Sequence, residues 1–105
     1  MQILAIWKVK PEVDMNEVLK HLEAEEHFAW KKYMEGTLRQ FWLTEKPGYV
    51  IMILEYDSVE KAKEAHRDLP LLAAGLMDSE FHELRPFQSW EFLFKDEHKM
   101  ANRKD

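Results

Sequence analysis

The sequence predicts a single α+β domain of element order βαββαβ, the ferredoxin-like arrangement in which an antiparallel four-stranded sheet carries two helices on one face. Runs rich in β-formers at Ile3 to Val9, Leu38 to Thr44 and Tyr49 to Tyr56 are separated by helical patterns and short connections. Glycine and proline mark the corners, at Gly36, Lys46-Pro47-Gly48 and Leu69-Pro70-Leu71. The third run is apolar on both of its faces, with Tyr49, Ile51 and Ile53 pointing one way and Val50, Met52, Leu54 and Tyr56 the other. A sheet face open to water carries polar residues. The pattern therefore predicts a second copy packed sheet against sheet, a dimeric α/β barrel with a cavity between the first helix and the sheet.

Each element has a local reason. The first strand stops at Lys10-Pro11, because the proline ring holds the residue before it extended. Asp14 is placed to cap a helix, with Glu17 three residues on. That helix runs to Glu35, where Gly36 suits the left-handed closing position. The second strand is Leu38 to Thr44, and Pro47-Gly48 forms the turn into the third, Tyr49 to Tyr56. Asp57 or Ser58 caps a second helix over Val59 to Asp68, which Leu69-Pro70-Leu71 ends as a packing corner. Leu71 to Met77 reads as a short apolar helix and Phe81 to Trp90 as the fourth strand. Phe92, Leu93 and Phe94 are apolar enough to extend an interface. The domain is thus expected over residues 1–94, followed by a charged, flexible tail over 95–105.

Composition excludes several classes of function. The chain has 105 residues, 46% of them hydrophobic, which supports one domain whose modest core gains from association with a second copy. Its 15 basic and 20 acidic side chains give a net charge of −5, so there is no broad cationic field for a nucleic-acid backbone. The absence of cysteine removes disulfides and thiolate metal sites. The apolar run at the N-terminus is too short for a signal peptide or a membrane span, and a cytoplasmic location is expected. His21 and Glu25 are four residues apart, but no third ligand has recognisable spacing, so no metal site is expected. His27 and His66 read as solvated.

The chemistry concentrates between Glu25 and Trp42. At about 100° per residue, Met15, Val18, Leu19, Leu22, Ala29 and Tyr33 form one apolar stripe of the first helix, and Glu25 and Glu26 fall inside it. Acids belong on the opposite face of such a helix. Burial would raise the pKa of either one. The bland alternative is that they bend out to solvent or pair with Lys32 or Arg39. Arg39 offers a planar cation at the helix-to-strand corner, and Trp42, Trp7 and Tyr49 are large aromatics able to wall a pocket.

Ala24-Glu25-Glu26, Glu35-Gly36-Thr37, Arg39, Trp42, Ser58-Val59-Glu60 and Leu69-Pro70-Leu71 together resemble the muconolactone delta-isomerase family, and Val13-Asp14-Met15 is also similar. The resemblance covers about half the chain directly. It implies dimeric α/β barrels that assemble further into rings, with neither metal nor organic cofactor. The implied activity is proton transfer within an unsaturated lactone that carries a carboxylate arm, in aromatic catabolism. Glu25 then takes the place of the family's acidic residue, with Glu26 as the alternative, and Arg39 becomes the anchor for the carboxylate. Shifting a double bond in a butenolide needs one group to take a proton and return it at another carbon, which suits a carboxyl of raised pKa. The chain departs from the family where Leu43 replaces a second arginine and Lys46-Pro47-Gly48 replaces a turn bearing a histidine. Leu72-Ala73-Ala74-Gly75-Leu76-Met77 is also smaller and more apolar than its counterpart, which points to a more hydrophobic ligand. The alternatives are a non-catalytic dimer binding a ligand or protein through its cavity, and an oxygenase or haem-degrading protein of the same barrel architecture.

Overall fold

Hydrogen-bonded pairing in the computed structural model, which describes residues 1–94, joins β1 (Gln2–Val9), β2 (Leu38–Leu43), β3 (Tyr49–Glu55) and β4 (Met77–Glu83) in the order β2-β3-β1-β4. All neighbouring strands are antiparallel. The helices are α1 (Met15–Glu35), α2 (Val59–His66) and the single turn α3 (Pro70–Ala73). This is the α+β ferredoxin-like architecture expected from the sequence. The charged tail at 95–105 lies outside the described residues.

The central strands are the ones with apolar side chains in both directions. On β1, Ile3, Ala5 and Trp7 are buried under the helices, and they stand opposite Leu54, Met52 and Val50 of β3. Val18 and Ala29 of α1, Leu38 of β2, Ala62 of α2, and Leu69, Leu71 and Met77 complete the core. On the other face Leu4 and Ile6 pair with Ile53 and Ile51, all four only half-buried.

Asp14 caps α1, its Oδ1 accepting from the Asn16 N–H at 2.9 Å. At the far end, Gly36 takes φ of 86°, and paired bonds from the Gly36 and Thr37 N–H groups to Tyr33 and Lys32 carbonyls close the helix in a Schellman arrangement. A Cβ on Gly36 would meet nothing within 4 Å, so only the backbone conformation resists substitution. Gly36→Ala is expected to lower unfolding free energy by about 1 kcal/mol in urea titrations.

Three expectations for the second half of the chain are revised. The fourth strand starts at Met77, not Phe81, and ends at Glu83. Its polar Asp78-Ser79-Glu80 stretch sits on an edge strand, where outward polar side chains are tolerated and discourage further pairing. Pro86 cannot extend the ladder, and Gln88–Phe94 coils as a 3-10 turn. The short helix covers only Pro70–Ala73, with proline in its first turn where no N–H is needed. His66 is buried rather than solvated, because Ala62 and His66 share the inward face of α2 while Lys61, Lys63 and Glu64 take the outward one.

Candidate functional site

Only part of the apolar stripe on α1 reaches the sheet. Val18, Glu25 and Ala29 are buried, whereas Met15, Leu19 and Tyr33 are more than half exposed. Beneath the N-terminal half of α1 lies a partly open cavity of about 240 Å³. Its floor is Trp7, Val9, Val50 and Met52, its sides are Phe41, Leu43, Leu71 and Met77, and its roof is Val18, Leu22, Glu25 and Glu26 of α1. The wall is almost entirely hydrocarbon apart from the two carboxyls. Met15 and Leu19 border it as well while remaining exposed, which gives the mouth an apolar rim.

Glu25 is the buried acid among the described residues, 9% exposed. Its Oε1 accepts a 3.0 Å hydrogen bond from the backbone N–H of Leu71, which α3 leaves without a partner inside its own first turn. Its Oε2 takes no hydrogen bond among the described residues. Burial raises the Glu25 pKa above the ordinary carboxyl value of 4.5, and the adjacent Glu26 adds to the rise. The Leu71 N–H and His21 oppose it without cancelling it. One oxygen is thus fixed and the other is free at the wall of an apolar cavity. Such a group can accept a proton from carbon and hold it.

The other expected site residues divide between two faces. Trp7, 1% exposed, and Glu26, itself exposed, both border the cavity with Glu25. Tyr49 and Trp42 stand opposite Lys8 and Ile51, on the sheet face away from the helices. Lys8 and Lys46 lie 5.5 Å from the Tyr49 ring centroid on that side. Arg39 falls at the register shift between Leu38 and Gln40, exposed, outside the cavity wall and without an ion pair among the described residues. Two contributors had no mark in the sequence reading. The Leu71 N–H that orients Glu25 is a backbone group, and Phe41 and Leu43 were not singled out as walls.

No protein-family model and no curated protein sequence matches the chain. Among solved structures, muconolactone isomerase superposes with a TM-score of 0.68 at 26% identity, over 83% of this chain and 93% of that one. The chain shares that fold. The 5-chloro-2-hydroxyhydroquinone dehydrochlorinase TftG of Burkholderia phenoliruptrix AC1100, solved with 2,5-dihydroxybenzoquinone, superposes with a TM-score of 0.67 at 15% identity, over 81% and 94% of the two chains. At that identity the second likeness concerns the fold alone. Among the described residues no helix is long and apolar enough to cross a membrane.

Proposed function

We propose that this protein is a cofactor-independent small-molecule enzyme that moves a proton within an unsaturated lactone or related carbonyl compound. The observation that carries the reading is Glu25, a buried carboxyl of raised pKa with one oxygen held by Leu71 and the other free at the wall of an apolar cavity. The 26% likeness to muconolactone isomerase supports the same chemistry. In the reaction, the Glu25 carboxylate takes a proton from the saturated ring carbon at one end of the conjugated carbonyl system. The C–H electron pair moves into the ring and the carbonyl π pair moves onto oxygen, giving a dienolate. Glu25, now the acid, returns the proton at the far end of the conjugated system, so atoms and charge balance with no second reactant. Glu26, at the same wall, is the second carboxyl that can assist.

Proton NMR in deuterated buffer with a panel of butenolides, muconolactone included, tests the reading. Deuterium uptake or double-bond migration that depends on Glu25 is the expected result. Ligand-induced thermal stabilisation with no exchange across the panel would identify a binding module instead.

The sheet face opposite the helices supports the second half of the reading, a homodimer packed sheet on sheet. Leu4, Ile6, Ile51 and Ile53 present a continuous apolar surface there, with Trp42 beside them at 58% exposure. Replacing Ile51 by Lys places a charge at the centre of that surface. Sedimentation is expected to show a dimer for the parent chain and a monomer for Ile51→Lys, whereas an unchanged dimer would move the interface elsewhere.

A further inference from the structure

Charge at the cavity wall has one sign. Glu25 and Glu26 are its ionisable side chains, and no lysine, arginine or histidine among the described residues lines it. The mouth adds no cation, being rimmed by Met15 and Leu19. Basic groups stand elsewhere. Lys20 pairs with Glu17 at 2.9 Å and Lys32 with Glu35 at 3.6 Å. Lys8 and Lys46 flank Tyr49 on the opposite sheet face, and Arg39 sits at the β2 bulge. A second copy packed on that opposite face would stand across the sheet from this wall and bring no cation to it.

The repulsion is already felt inside the cavity. The Glu26 charge adds to the rise of the Glu25 pKa, so a second negative charge at the Glu25 position is disfavoured. His21 opposes this more weakly and from outside the wall. A ligand carboxylate in the same space meets the same repulsion, and it gives up hydration against hydrocarbon walls with no cation in exchange. Size is the second constraint. An apolar cavity of about 150 Å³ holds benzene, so one of about 240 Å³ holds a ring with a short side arm.

We infer that the cavity takes an uncharged ring compound whose side arm carries no carboxylate, and that Glu26 enforces this choice by repelling anions. The inference rests on the reading of this cavity as the substrate site and names its substrate class, a lactone or related carbonyl compound with a neutral arm. In this role Glu26 determines specificity through its charge and needs no bond to the substrate.

Calorimetric titration with three saturated γ-butyrolactones, which have no double bond to move, separates charge from shape. Their side arms are acetate, acetamide and propyl, of which the first two match in size and differ in charge. At neutral pH the acetamide and propyl lactones are expected to bind at least about tenfold more tightly than the acetate. Glu26 is exposed and partly screened by water, so Glu26→Gln is expected to tighten the acetate by about threefold while leaving the acetamide unchanged. A merely structural effect would move all three ligands together. Acetate bound as tightly as acetamide, no binding of either neutral lactone, or a parallel shift of all three in Glu26→Gln overturns the inference. The acetate-against-acetamide comparison on the parent protein decides the ligand class even where the variant fails to fold. Deuterium exchange on the corresponding butenolides, run with Glu25→Gln, separates this inference from the catalytic one. The expected binding order without Glu25-dependent exchange upholds the ligand class and removes the base. Glu25-dependent exchange with muconolactone bound as tightly as its amide does the reverse.

Discussion

Glu25→Gln is expected to reduce proton exchange on a reactive butenolide by about two to four orders of magnitude, the usual contribution of a positioned general base. Folding should survive the change. Glutamine has the same shape, and its Oε1 can still accept the Leu71 N–H that now binds Glu25 at 3.0 Å. Stability itself carries a second signature of the same residue. Because burial raises the Glu25 pKa above 4.5, the folded state holds the proton where the unfolded chain has released it. Stability from this group is full below the ordinary carboxyl pKa and is lost as pH rises through the folded value. Glu25→Gln removes that slope, so at neutral pH the variant should be as stable as the parent or more so. Activity runs in the opposite sense. The base must be ionised, so kcat/KM rises with pH through a midpoint above the ordinary carboxyl value. A variant that keeps exchange activity, or a pH profile flat through this range, would remove Glu25 from the chemistry.

His66 should dominate the acid side of the stability curve. It is 1% exposed, enclosed by Trp7, Phe28 and Tyr56, with its Nε2 3.0 Å from the Tyr56 hydroxyl and its Nδ1 without a partner. Burial, reinforced by the positive charge of Lys32 and only partly offset by Glu35, lowers its pKa from 6.5 to about 4. Between those values the unfolded chain binds a proton that the folded protein refuses. The stability tied to neutral His66 is therefore complete above pH 6.5 and drains away as pH falls toward 4. Across that window it amounts to about 3 kcal/mol, a large share of the stability of a domain this size. Urea unfolding of the parent and of His66→Phe at pH 7 and pH 4.5 measures it. The parent should lose much more than the variant on acidification, and parallel losses would show that other groups carry the acid sensitivity.

The two residues differ in how visible they were. Glu25 stood out in the sequence because an acid interrupted an apolar helical stripe, and the structure buries it. His66 was hidden by its neighbours, since Lys61, Lys63 and Glu64 make α2 look like a solvated helix. The signal was present in the spacing of Val59, Ala62 and His66 along one face, but three short side chains in a charged octet are easily overlooked. The fourth strand was misplaced for a related reason. An edge strand needs little hydrophobicity, so Asp78-Ser79-Glu80 resembles a loop until its pairing with β1 is known.

Local chemistry in the sequence by itself determined the element order, the cap at Asp14, the glycine closure at Gly36 and the two-faced apolar character of β3, because each depends on residues a few positions apart, whereas the choice of Ser58 over Asp57 as the cap of α2 was made by the structure. Tertiary structure alone decided which aromatics meet the cavity. Simple alternation from the buried Leu38 would put Gln40 and Trp42 on the helix side. The extra residue at Arg39 reverses the phase, so that Phe41 and Leu43 face Met52 and Val50 beneath α1 while Trp42 turns to the opposite face. One inserted residue exchanges the two faces of a strand, and no composition records it. The orientation of Glu25 is of the same kind. Its partner is a main-chain N–H 46 residues away, a donor that every residue except proline possesses, and only the fold brings it within 3.0 Å.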